Sequence, residues 1–250
     1  MVLLDENLQM RATLNHTAGR AAAHVLACAT IFAALVLASD RPRAADAERM
    51  QQAAQRLGAG AVSGVKALQA VLLASGSLDD EGRLQAVNQF YNRRIQYRDD
   101  LEVWGQADYW ASPLELLEKG RGDCEDYVIA KYFSLLSLGM PSTKLRLVYV
   151  RALLGGQGGA VQAHMVLAYY PGAAWLSAAG STAAQVEPLI LDNLITDIRP
   201  ASRRPDLTPV FSFNSDGLWQ GVNGVADGDP LVRLSRWREV MNKARAEGFL

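Results

Sequence analysis

Gly120-Arg121-Gly122-Asp123-Cys124-Glu125-Asp126-Tyr127-Val128-Ile129-Ala130-Lys131-Tyr132-Phe133 is the stretch on which the fold of this chain turns. Gly120 and Gly122 loosen the backbone, and Cys124 then opens a run with apolar residues at Tyr127, Val128, Ala130, Tyr132, Phe133 and Leu135. That spacing predicts a buried helix from Cys124 to about Leu138, stopped by Gly139 and Pro141. A thiol at a helix N-terminus faces free backbone N–H groups and the positive end of the dipole, which favours thiolate. Asp123, Glu125 and Asp126 push the other way, since a nearby negative charge disfavours a second one. Two readings of the acids stand side by side. As first-turn residues they complement the dipole, each worth roughly 0.3–1 kcal/mol. As clustered hard oxygens they suit Ca²⁺, although the spaced loop of an EF-hand is missing.

Upstream, Ser112-Pro113-Leu114-Glu115 is a helix start, and the spacing predicts a short helix over Pro113–Lys119. Leu84–Tyr97 reads as an amphipathic helix with Val87, Phe90, Tyr91 and Ile95 on one face, ended by Asp99 and Asp100. Glu48–Leu73 reads as one or two helices interrupted at Gly58 and Gly60, and Trp104, Tyr109 and Trp110 fall in a loop-like segment. Downstream the periodicity changes to two. Leu145–Leu153 and Val161–Tyr170 read as antiparallel strands about a glycine-rich turn, and a small-residue loop over Pro171–Gln185 leads to a third strand over Pro188–Leu194. A Pro-rich stretch (Pro200, Pro205, Pro209) with Phe211, Phe213 and Trp219 precedes a C-terminal helix from Pro230 to about Glu247. Helices followed by an antiparallel sheet predict an α+β fold.

The N-terminus is of another kind. Arg11 and Arg20 precede an apolar run from Ala21 to Ala38, and Ala45-Asp46-Ala47 supplies small residues at a cleavage position. That order predicts a secretory signal peptide over residues 1–47 and a single domain over 48–250. An uncleaved anchor is the competing reading, because the run is near the shortest length that spans a bilayer. Val25-Leu26-Ala27-Cys28 is not a lipoprotein site, as most of the apolar stretch follows Cys28. The net charge of −1 over 250 residues offers no general attraction to nucleic acid or anionic membrane, and half the chain is hydrophobic, enough for one substantial core.

Removing the leader takes Cys28, His16 and His24 with it, leaving Cys124 and His164 as the sole cysteine and histidine. An intramolecular disulfide and a Cys/His zinc site are both excluded for such a chain. Cys124 then opens a helix, His164 lies on the second strand and Asp192 on the third. Thiol, imidazole and carboxylate are the parts of a Cys-His-Asp nucleophilic site. Singly, a lone cysteine reads as a small buried hydrophobe and a lone histidine as a satisfied core group. Together, in this order, they favour chemistry.

The segments G-D-C-E-D-Y-V-I-A-K-Y, A-H-M-V-L-A-Y-Y and L-D-N-L resemble the bacterial transglutaminase-like cysteine proteinases, and most closely their LapG-type periplasmic members. W-G-Q-A-D-Y-W from Trp104 and R-P-A-S-R-R-P-D-L from Arg199 fit the same pattern, so the resemblance spans about Leu84 to Trp237. It implies a papain-like fold with Cys124 as nucleophile, His164 as general base and Asp192 as its orienter. It also implies calcium beside the nucleophile, at Asp123, Glu125 and Asp126. The implied activity is a calcium-dependent periplasmic endopeptidase that cuts the N-terminal region of a large surface adhesin and releases biofilm cells. An inner-membrane cyclic-di-GMP receptor sequesters such proteases through its periplasmic domain. Alternatives are a transglutaminase-type acyl transferase using the same triad, or an inactive calcium-binding adaptor. A cell-wall amidase of the NlpC/P60 kind is disfavoured, because such sites need a further polar group.

Overall fold

Two helices and their junction show how closely the chain is fitted around the cysteine stretch. Residues 46–57 form α1, and Ala59–Ser75 form α2. They break at Gly58, whose φ of 151° favours glycine and whose missing side chain makes room for the Glu118 carboxylate. Glu118 Oε2 accepts from Ala61 N at 2.6 Å, satisfying one of the orphan donors at the start of α2. The computed structural model describes residues 46–156, 158–171, 187–222 and 227–250. The expected leader, up to residue 45, and the small-residue loop over 172–185 lie outside the described residues. Ala47–Leu250 cluster as one unit. Among the described residues no helix is long and apolar enough to cross a membrane.

Helix α3 spans Asp80–Arg94, earlier at both ends than the apolar spacing predicts. Asp79 caps it by accepting from Gly82 N at 2.9 Å. It stops short of Tyr97 because Gln96–Tyr97 (β1) pairs in parallel with Arg121–Gly122 (β2), a ladder that pins the approach to Cys124. Asp99 and Asp100 do not end a helix but begin one, α4, over Asp100–Trp104. Helix α5 covers Pro113–Lys119 as the Ser-Pro start predicts, closed by a Ser112/Glu115 capping box. Helix α6, Cys124–Ser137, is buried on most of its circumference, which is the pattern of a helix enclosed by other elements.

Beyond α6 lies a six-stranded antiparallel sheet. Its strands are β3 (Leu145–Leu153), β4 (Val161–Tyr169), β5 (Leu189–Leu191), β6 (Arg199–Pro200), β7 (Leu207–Phe213) and β8 (Leu218–Gln220), in the spatial order β6-β5-β4-β3-β7-β8. The β3–β4 hairpin matches the alternation in the sequence, and the third strand is shorter than expected. Strands β6 and β7 contain Pro200 and Pro209, which argue locally against a strand, and β8 is only three residues long. Pro209 sits opposite Val150, next to a register shift between Tyr149 and Val150, where a missing N–H is tolerated. The C-terminal helix is two pieces, α7 (Pro230–Arg233) and α8 (Ser235–Ala246), broken at Leu234, whose ψ of 91° is not helical.

Leu145, Leu147, Met165, Leu167 and Leu191 belong to the main core with α6, while Val148, Val150, Val166, Ala168 and Ile190 form a separate cluster. Trp237 of α8 locks the main core. It stacks on Phe133 at 5.7 Å and meets Phe213 edge-on at 5.2 Å, joining α6, β7 and α8. Trp237→Ala is expected to lower unfolding free energy by about 3–5 kcal/mol, read by urea denaturation. A loss under about 1 kcal/mol would mean that α8 is peripheral to the fold.

Candidate active site

Gly122 and Asp126 set the first turn of α6. The Asp126 carboxylate lies so close to Gly122 that a side chain there would strike it. Asp126 is fully buried; its Oδ1 accepts from Ala111 N at 2.8 Å and its Oδ2 from Asp123 N at 3.4 Å. This capping box holds Cys124 at the helix start, with the thiol nearly buried. The thiol donates to Glu125 Oε2 at 2.7 Å. Cys124 shares the main core with Met165, the residue after His164, and α6 packs on β4, the strand that carries His164. Burial, and next the Glu125 charge, hold the thiol well above its ordinary range.

His164 and Asp192 meet. The imidazole Nε2 lies 2.8 Å from Asp192 Oδ1, with both side chains buried. Asp192 follows β5, which pairs with β4, so sheet register brings the two residues together. Burial alone would raise the Asp192 carboxyl, but the hydrogen bond and charge of His164, then Arg204 and the Leu194 N–H, bring it down to about 2. An ionised Asp192 accepts a hydrogen bond from Nε2–H, which leaves Nδ1 as the ring nitrogen able to accept a proton.

A second constellation surrounds the nucleophile. Asp100, Asp123 and Asp126 each place an oxygen within 4.8 Å of the others, and in a second grouping the oxygens of Asp123 and Glu125 lie equally close to each other and to the Cys124 sulfur. Asp100 Oδ1 and Asp123 Oδ1 are buried without a hydrogen-bond partner. Burial, then the charges of Glu125 and Asp126, push Asp123 up to about 10, and burial foremost pushes Asp100 up to about 6. Orphaned buried carboxylate oxygens fit a hard divalent cation, and an all-oxygen set fits calcium rather than a thiophilic metal. Of the three acids expected at a metal, Asp123 and Glu125 carry oxygens not taken by backbone donors, whereas both Asp126 oxygens already accept one.

The family model of the bacterial transglutaminase-like cysteine proteinases matches residues 71–169. Legionella pneumophila LapG is 36% identical, with 79% of this chain and 96% of that one aligned at a TM-score of 0.63. This chain belongs to the bacterial transglutaminase-like cysteine proteinases. A calcium-bound structure of the same Legionella protein is 35% identical over 79% of this chain and 98% of that one, with a TM-score of 0.63. An EGTA-treated structure of it aligns at a TM-score of 0.64. No curated protein sequence matches.

Within that family's fold, three residues at this site escape sequence reading. Asp100 looks like a helix terminator, and only the fold carries it 23 positions along the chain to Asp123. Asn92 Nδ2 and Lys131 Nζ donate to the Asp192 main-chain carbonyl at 2.7 and 3.2 Å. Lys131 reads as a polar break in an apolar run, yet it is fully buried, and that burial lowers its pKa to about 7 despite the nearby Asp192. The one available signal was a lysine at a position where the helix has no exposed face.

Proposed function

We propose that this chain is a calcium-dependent cysteine endopeptidase of the periplasm that cuts the N-terminal region of a large surface adhesin. The observation that carries the peptidase reading is the buried His164–Asp192 pair at 2.8 Å, with His164 on the strand against which the Cys124 helix packs. In the reaction, the Cys124 thiol gives its proton to His164 Nδ1 and attacks the scissile carbonyl, and the imidazolium returns the proton to the leaving amine. Asp192 holds the Nε2–H and stabilises the imidazolium. The Cys124 N–H, at the first turn of α6, faces the carbonyl oxygen as charge develops on it.

Asp100, Asp123 and Glu125 would hold a calcium ion, whose positive charge would offset the clustered carboxylates. Glu125 accepts the thiol hydrogen at 2.7 Å and so competes with His164 for it. Engaged by such a cation, the Glu125 carboxylate would no longer favour the protonated thiol, which would relieve the opposition between the helix dipole and the three acids. Support for calcium comes from the two orphaned oxygens and from the calcium-bound relative.

The adhesin substrate, periplasmic location and control by an inner-membrane cyclic-di-GMP receptor rest on the family resemblance. The leader-like Arg11–Ala47 sequence agrees with export. The test incubates the purified protein with the N-terminal region of a large repetitive surface protein from the same genome. A single cut within a short small-residue segment is expected, suppressed by the periplasmic domain of the receptor. An intact substrate in the presence of calcium defeats the proposal, and suppression by unrelated periplasmic domains defeats the receptor assignment.

A further inference from the structure

The His164–Asp192 pair does not end at Asp192. Its Oδ1 is occupied by His164 Nε2 at 2.8 Å and Leu194 N at 3.1 Å, which leaves Oδ2 buried and charged. Arg204 Nη2 meets that oxygen at 2.7 Å, and the Arg204 side chain is only 1% exposed. Arg204 is itself gripped from outside. Its Nε reaches the two Asp206 oxygens at 3.0 and 3.2 Å, and its Nη2 reaches Oδ2 at 2.8 Å. The Asp206 carbonyl accepts from Leu153 N at 2.8 Å, tying this grip to the end of β3. A planar guanidinium held by a fork cannot follow a rotating carboxylate without losing one partner.

We propose that Arg204 is a positioning residue for the catalytic base, clamping the Asp192 carboxylate so that Oδ1 faces His164 Nε2, with Asp206 as its outer hold. The inference rests on the Cys124–His164–Asp192 reading of the site. Asp192 is faced by His164 of β4, Lys131 of α6, and Arg204 with Asp206 from the segment leading into β7. Arg204 therefore does two things. It fixes the rotamer that selects the Nε2–H tautomer, and its charge keeps Asp192 from taking the imidazole proton for itself. A buried ion pair could instead serve only to hold the loop to the sheet, and the two roles differ in their electrostatic consequences.

Removing a cation from an acid–base pair raises the pH at which the pair takes up a proton, and removing an anion lowers it. The experiment follows the His164 ring by nitrogen-resolved NMR in the full chain with calcium, assigning its signals by difference from His164→Gln. Arg204→Met is expected to raise the titration midpoint of the His164–Asp192 pair by about 0.5 unit or more, and Asp206→Asn to lower it. Opposite shifts support the clamp; no shift in either variant, or shifts of one sign, overturns it. Asp206 is 30% exposed, so its variant keeps the fold, and Arg204→Lys covers the case in which Arg204→Met does not fold. The lysine keeps the charge and loses the fork, so the midpoint holds while the ring becomes a mixture of tautomers; a uniform Nε2–H tautomer there overturns the proposal. Asp192→Asn, assayed on the adhesin region, separates the two readings. Full cleavage by that variant defeats the triad itself, whereas its failure to cut alongside unmoved midpoints defeats only the role of Arg204.

Discussion

Cys124→Ala is expected to abolish cleavage, by on the order of 10⁶ in kcat, while leaving the unfolding midpoint nearly unchanged. The two halves of that expectation come from different features. Cleavage is lost because no other described side chain at the start of α6 is a nucleophile: its neighbours are carboxylates. Stability is kept because the first turn is held by Asp126 through Ala111 N and Asp123 N, none of which involves sulfur. The Cys124–Glu125 hydrogen bond is lost, but the half-buried Glu125 can meet water instead, so the variant should lose no more than about 1 kcal/mol. His164→Ala should equal it in activity but not in stability. It leaves the buried Asp192 Oδ1 with Leu194 N as its remaining donor, and a hydrogen bond lost from a charged group is worth about 1.5–3 kcal/mol. Cleavage that survives Cys124→Ala sinks the peptidase reading, and an equal stability loss in both variants sinks the account of how the helix start is held.

How much of this was readable beforehand follows from what kind of interaction places each residue. Helix α6 and the β3–β4 hairpin were legible because one apolar period decides each of them. The placement of Cys124 at a helix start and of His164 beside Asp192 was legible because two of them lie on those elements and the third beside a strand that pairs with one of them. Strands β6 to β8 were not, since β7 owes its place to pairing with β3 across a register shift, a tertiary fact, and Pro209 argues against a strand on local grounds. The short α4 escaped for a related reason. Asp99 and Asp100 are as good at starting a helix as at following one, and the β1–β2 ladder, made with residues 25 positions away, settles which. Asp100 and Arg204 belong to the same class. Each is a charged residue in a polar-looking segment, and its burial comes from distant neighbours that no local pattern announces.

Calcium removal is expected to stop cleavage and also to destabilise the fold, and the second effect identifies the ligands. A cation bound only to the folded state stabilises it by about 2.7 kcal/mol at a concentration 100 times its dissociation constant. The unfolding midpoint should therefore climb with calcium and fall back on adding EGTA. In metal sites even groups that only support a ligand are worth about 10–100-fold in affinity. Asp123→Asn, which alters the carboxylate common to both possible groupings, should weaken calcium at least that much. Asp100→Asn should weaken it similarly, because its Oδ1 is the other orphaned oxygen. Asp126→Asn makes the contrast: with both oxygens already accepting backbone donors, it should cost stability in calcium and EGTA alike. Glu125→Gln separates a ligand from a proton trap. As a ligand, Glu125 lost means calcium affinity lost; as a trap alone, its loss leaves affinity intact and speeds iodoacetamide labelling of Cys124 in EGTA. A midpoint indifferent to calcium in the unaltered protein removes the metal from the mechanism, and Glu125 would then remain as the acceptor that keeps the thiol protonated.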